Sequence, residues 1–311
     1  MDTAFVFPGM GPSRFPEVGR FMVGNPIARR LLRRADEVLG YSVVDRFADA
    51  DTDYDEAAQV AFLVNCLALA EWAQQHLDEV PAVCTGASFG QKTVAGYTGA
   101  LSFEDTVLLT ARLARVLDDY FRTEHTDIVT QSFVRVPDDR LEPVLAELTA
   151  RGEWYEFACH LDAGFHMVNL RQSAVDWFVT RLRSVGGLPL YAMRPPMHSS
   201  LFTGLHATVR DEILPEFTFA DPAVPIVSDQ TGELLTTADQ VRTLVLDGFV
   251  RPVRWPDAVA TLRDRSVGKV LVVGQDAMFG RVECVVRSFE VVAVNPRLAM
   301  QPRRQPVPAG R

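Results

Sequence analysis

The stretch Gly86-Ala87-Ser88-Phe89-Gly90 constrains this chain more than any other. An apolar run, Pro81-Ala82-Val83-Cys84-Thr85, precedes it, and a helical pattern from Gln91 to Tyr97, stopped by Gly99, follows. Gly-x-Ser-x-Gly between a strand and a helix predicts a tight turn that presents the serine hydroxyl at the edge of a sheet. The backbone N–H groups after it then face an approaching acyl oxygen. The flanking glycines are required because a side chain there would block the turn or the substrate.

The 311 residues suffice for one large domain or two smaller ones. Apolar residues make up 48% and charged residues 23%, as in ordinary globular chains. No apolar run is long enough to span a bilayer, and Met1-Asp2-Thr3 lacks the basic start of a secretory signal, so a cytoplasmic protein with no membrane partner is expected. Cys66, Cys84, Cys159 and Cys284 are scattered through apolar runs, which predicts reduced thiols and no metal site. A net charge of −9 argues against nucleic acid as a partner. Lysine occurs only at Lys92 and Lys269; arginine supplies every other cation.

Ala4 to Phe7 reads as a strand entering the loop Pro8-Gly9-Met10-Gly11-Pro12, and Pro26–Leu39 and Glu56–His76 carry helical spacing. Ser102-Phe103-Glu104-Asp105 reads as a capping box opening a helix toward Tyr120. The pattern then changes. Strands over 127–136, 154–160, 165–170 and 188–193, with helices over 137–150 and 173–185, give the β-α-β-β-α-β order of a ferredoxin-like unit. Apolar strands resume at Pro225–Ser228, Val270–Val273 and Phe289–Val294, with a helix at Asp239–Leu246.

Phe5-Val6-Phe7-Pro8-Gly9-Met10-Gly11, the serine pentapeptide with Gly99 to Asp105, Pro196-Met197-His198-Ser199-Ser200 and Pro252-Val253-Arg254-Trp255 occur in that order. Taken singly, each also fits a plain reading: a turn, a core histidine, a helix cap. Together they resemble the malonyl-CoA:acyl-carrier-protein transacylase family, which includes polyketide synthase acyltransferases. The resemblance implies an α/β-hydrolase-like large domain with a parallel sheet over 1–124 and 194–295, an inserted ferredoxin-like small domain over 125–193, and a flexible tail over 296–311.

It further implies a Ser88/His198 dyad working by an acyl-serine intermediate. Oxyanion donors would be the backbone N–H groups of Met10 and Phe89, and the Gly248 carbonyl would orient the imidazole. No bound cofactor is expected, since the acyl groups ride on the phosphopantetheine of acyl carrier proteins. Those partners are acidic, so cationic contacts are expected at Arg135, Arg281 and Arg194.

Family members that select malonyl groups carry an arginine on the helix after the serine; the register places Leu113 there. An unpaired buried carboxylate costs about 3–5 kcal/mol, or about two to four decades of discrimination. His166 and Gln91 also replace residues usual in the family's cleft, so Leu113, His166 and Gln91 are expected to shape a non-malonyl acyl pocket. The strings Ser-Phe-Gly-Gln and Met-Arg-Pro-Pro-Met-His are similar to discrete transacylases of vicenistatin-type macrolactam polyketide pathways. That type moves an aminoacyl or dipeptidyl group from a stand-alone carrier to a polyketide synthase carrier domain. A non-malonyl acyl-CoA:carrier transacylase and an acyl-carrier hydrolase are the competing readings.

Overall fold

The computed structural model describes residues 2–301 except Pro12, Asp51, Asp53 and Ala277. Its strands are β1 (Asp2–Phe7), β2 (Val83–Gly86), β3 (Ile128–Val134), β4 (Tyr155–Asp162), β5 (Phe165–Arg171), β6 (Leu188–Met193), β7 (Ile226–Val227), β8 (Leu234–Leu235), β9 (Val253–Arg254), β10 (Val267–Val273) and β11 (Glu290–Val294). They form two sheets, ordered β11-β10-β1-β2-β7-β8 and β6-β3-β5-β4-β9.

In the six-stranded sheet every pairing is parallel except the terminal β7–β8 hairpin. Ala4 to Phe7 and Val83 to Gly86 are buried on both faces, which is why β1 and β2 read as unbroken small or apolar runs. The helix Glu56–Leu77 packs across this sheet and is apolar nearly all round, with Phe62, Leu63, Leu69 and Trp72 in the core. Ser102 Oγ accepts the Asp105 N–H at 3.0 Å, capping the helix Phe103–Thr123.

The second sheet has the ferredoxin-like order among β3 to β6, with the helices Asp138–Ala150 and Val175–Ser184 covering one face. Its fifth strand, β9, arrives from beyond residue 193 and pairs in parallel with β4. The α/β class, with a mainly parallel sheet and a ferredoxin-like unit as expected, is what the chain adopts. Helices at Phe15–Gly24, Val43–Ala48 and Trp255–Asp264 escape the periodicity reading. The first and last of these begin at or just before a proline, Pro16 and Pro256, which stands in the opening turn.

Pro296–Ala299 also forms a helical turn, capped by Asn295, so the expected tail does not start at 296; the stretch from 302 lies outside the described residues, as does Pro12 of the loop after β1. No helix among the described residues is long and apolar enough to cross a membrane. Cys66, Cys84 and Cys159 are buried free thiols, and Cys284 is a half-buried one.

Candidate active site

The site gathers at the carboxyl ends of β1, β2 and β7, where the loops of a parallel sheet converge. Phe7 pairs with Gly86, so the loop after β1 and the turn after β2 lie side by side. Ser88 holds a left-handed φ of 51°, the strained geometry of an exposed nucleophile turn. A Cβ on Gly86 would lie 2.1 Å from the Gly90 carbonyl oxygen, and one on Gly90 would lie 2.1 Å from that of Phe7. Neither flanking position admits any other residue without shifting backbone.

His198 comes from the segment after β6. Its Nε2 lies 2.7 Å from Ser88 Oγ, across 110 residues of sequence. Nδ1 faces the Arg251 carbonyl at 3.2 Å, and the Gly248 carbonyl also supports the ring. The orienting role expected of the Gly248 carbonyl is therefore shared with that of Arg251, because the turn after the helix Ala238–Asp247 carries both carbonyls toward the imidazole. Burial lowers the His198 pKa to about 4, against the two carbonyls, so the ring is neutral at pH 7.

Two side chains of the five-stranded sheet clamp the histidine segment. Asn169 Nδ2 donates to the carbonyls of Met197 at 2.9 Å and His198 at 3.3 Å, while its Oδ1 accepts from Thr130 Oγ1 at 2.6 Å. Glu156 accepts from Ser199 Oγ at 2.5 Å and from the Ser200 N–H at 3.0 Å.

Beneath the serine lies Asp229, fully buried at the end of β7. Its Oδ2 accepts the Ser88 N–H at 2.8 Å, and Gln91 Nε2 donates to both carboxyl oxygens at 2.8 and 3.0 Å. Burial pushes the carboxyl up to about 7 despite these donors. Gln91 is thus a buried bracket for Asp229 as well as a lining residue.

A cavity of about 380 Å³ opens onto Ser88 and His198. Met10, Phe89, Gln91, Leu113 and Gly248 line it, as does Arg194. Leu113 is 1% exposed. The neighbouring arginines turn elsewhere: Arg112 pairs with Glu216, and Arg115 with Glu56. Of the cations that line the chamber, Lys92 alone is buried, its Nζ 4.0 Å from the centre of the Phe89 ring. Sequence reasoning passed over it, although it is one of two lysines in an arginine-rich chain.

His166 is not among the lining residues. It shares a parity of β5 with Val168 and Leu170, which pack under the two helices, and its ring contacts Phe133, Phe157 and His160, with Asp138 at 3.5 Å. Alternation along the strand turns Asn169 instead toward the histidine segment. Arg135 and Arg281 are exposed and lie outside the cavity. Arg194 spends its guanidinium on the Thr126 carbonyl at 2.7 Å and on Gln172 at 3.2 Å. Asp229 had one legible sign, a carboxyl just past a short buried strand. Asn169 had none beyond its parity.

Among the described residues, no cluster of His, Cys, Asp and Glu side chains has the makings of a metal site. A serine hydroxyl held on a neutral imidazole, with a backbone carbonyl behind the ring, is equipped for acyl transfer.

Residues 132–193 match the family model described as the VinK acyltransferase small domain. The malonyl CoA-acyl carrier protein transacylase of Escherichia coli O157:H7 is 23% identical, over 96% of this chain and 97% of that protein. The polyketide biosynthesis protein ThaF of Burkholderia thailandensis is 26% identical over 87% of this chain and 23% of its own length. A solved malonyl-transacylase, in complex with its type II polyketide synthase acyl-carrier protein, superposes with a TM-score of 0.82 at 18% identity, covering 94% of this chain and 95% of that one. With the elbow serine, the paired histidine and the two-sheet fold in place, the chain is a Ser/His acyltransferase, similar over nearly its whole length to malonyl CoA-acyl carrier protein transacylases.

Proposed function

We propose that this enzyme is a trans-acting acyltransferase that moves an aminoacyl or dipeptidyl group between carrier proteins in macrolactam-type polyketide assembly, a cytoplasmic reaction. The observation that carries the reading is the 2.7 Å Ser88–His198 contact at a cavity lined by Leu113, the residue that the family register puts where malonyl-selective members carry arginine. The small-domain match and the family's acyl-carrier-bound relative support it.

In this reading the donor's phosphopantetheine thioester enters the cleft between residues 125–193 and the body formed by 1–124 and 194–295. Ser88 Oγ attacks the thioester carbonyl carbon while His198 Nε2 takes its proton. The backbone N–H groups of Phe89 and Met10 hold the oxyanion. Collapse breaks the C–S bond, and His198 returns the proton to the departing thiol. The acceptor thiol then reverses the sequence, giving up its proton to His198, attacking the acyl-serine and regenerating the Ser88 hydroxyl. A neutral His198 is ready to act as base at pH 7, and the carbonyls of Arg251 and Gly248 stabilise the imidazolium that forms. Arg135 and Arg281, exposed, and Arg194 at the cavity are the cationic contacts offered to acidic carriers.

Intact-mass measurement after incubation with a panel of carrier-bound and CoA-bound thioesters tests this directly. An aminoacyl or dipeptidyl adduct formed from carrier donors, and absent in Ser88→Ala, is the expected result. Labelling by malonyl-CoA alone would sink it.

A further inference from the structure

Lys92 is the only buried lysine or arginine among the described residues. Burying an ammonium carries a large desolvation penalty unless an anion or several acceptors compensate it. Here neither does. The ring of Phe89, 4.0 Å away, is the one partner the amine has among the described residues. The chain's other lysine, Lys269, is paired with Glu79 at 2.6 Å and with Glu290 at 3.7 Å. Elsewhere the sequence uses arginine for every cation, so a lysine in the chamber is a departure from its own habit. A compact amine on a flexible stem fits where a planar, permanently charged guanidinium does not.

The position matters as much as the chemistry. Lys92 stands one turn beyond Ser88 on the helix Gly90–Tyr97 and lines the same cavity as the nucleophile. The opposite helix contributes Leu113, Ala114, Leu117 and Phe121 to that cavity, together with Asp118 and Arg122, which pair with each other. An acyl chain seated on Ser88 therefore meets these apolar side chains and, in Lys92, a buried amine that no carboxylate among the described residues pairs.

We propose that Lys92 is the specificity-determining residue of the acyl chamber, donating a hydrogen bond to an amide oxygen carried by the acyl chain. This rests on the transfer reaction proposed above and names the feature of the acyl group that the chamber reads. Burial lowers the amine's pKa to about 7. An amide oxygen is served by either protonation state of such an amine, a carboxylate only by the charged one. The lysine thus favours a peptide-bearing acyl group over a dicarboxylic half-ester, in the same direction as Leu113.

The test compares two carrier-bound donors, glycylglycyl thioester and 5-aminopentanoyl thioester, in which two methylenes replace the amide; malonyl thioester is a third arm. In Lys92→Met, the ratio of kcat/KM for glycylglycyl over 5-aminopentanoyl is expected to fall about 10- to 100-fold, the range for a hydrogen bond to a charged donor. Lys92→Gln, which keeps an N–H donor without the charge, recovers part of that ratio. A merely structural lysine would lower both donors together, and an unchanged ratio overturns the proposal. Malonyl transfer by the wild type that disappears in Lys92→Met also overturns it, making the amine a carboxylate clamp. A wild type that accepts neither amine-bearing donor overturns the transfer reading and this proposal with it, whereas acceptance of both with an unchanged ratio in Lys92→Met overturns the lysine's role alone.

Discussion

The carboxyl of Asp229 lies directly under the nucleophile, its Oδ2 accepting the Ser88 N–H at 2.8 Å. That contact, with Gln91 bracketing the same carboxyl, helps to hold Ser88 at its left-handed φ of 51°. The nucleophile's backbone is thus tied to β7, a strand from the far side of the inserted sheet in sequence.

The tie has a pH signature. The Asp229 pKa is raised from 3.8 to about 7 in the folded protein, so the native state binds a proton that the unfolded chain has released. This group's contribution to stability is therefore fully present below about pH 4 and is lost as pH rises to about 7. Asp229→Asn removes that loss. Measured by Tm, the variant should gain on the wild type between pH 4.5 and pH 8; parallel curves would contradict the assignment.

Ser88→Ala should abolish the covalent acyl adduct, and His198→Ala should slow its formation by at least about 10³-fold, the scale for loss of a member of such a unit. Both are read by intact mass against time. An adduct that persists in Ser88→Ala places the acyl group on another residue.

His198 carries a pKa lowered to about 4 by burial, which keeps it an unprotonated base far below the 6.5 of a free imidazole. The acid limb of single-turnover acylation should accordingly lie near pH 4. Half-maximal acylation at pH 6.5 assigned to an imidazole would be the wrong outcome. Repeating the profile in Asp229→Asn separates the carboxyl's titration near pH 7 from the imidazole's.

Asn169→Leu is close in size but leaves the Met197 and His198 carbonyls and the Thr130 hydroxyl without their partner. Each buried polar group so orphaned costs about 1–3 kcal/mol. Expected are a Tm drop of several degrees and a kcat loss of about tenfold or more, with carrier KM little changed, because the loosened segment bears the base and not the docking surface. A KM effect without a kcat effect would argue that Asn169 touches substrate.

Arg135→Ala and Arg281→Ala test the carrier contacts. Each should raise KM for an acidic carrier several-fold, more at low salt than at high, while kcat holds. Salt-insensitive, wild-type KM in both variants would rule out these arginines as the docking patch.

The serine turn, the helices Pro26–Leu39 and Glu56–Leu77 and the β-α-β-β-α-β run were legible because each is written locally: glycines at a turn, apolar residues at helical spacing, alternation along a strand. Short elements were not. β8 and β9 are two residues each, too brief to show a period, and they exist only because longer strands give them a hydrogen-bonding edge.

At the site the division is the same. The sequence by itself determined the elbow around Ser88, the histidine string and the absence of arginine at Leu113, all properties of single segments. Only the tertiary structure decided which carbonyls face His198, that Asp229 underlies Ser88, that Lys92 is enclosed, and that Asn169 rather than His166 holds the histidine segment. Those relations join segments as much as 141 residues apart. They depend on strand register, where a shift of one residue reverses the face a side chain occupies, and no local pattern encodes that choice.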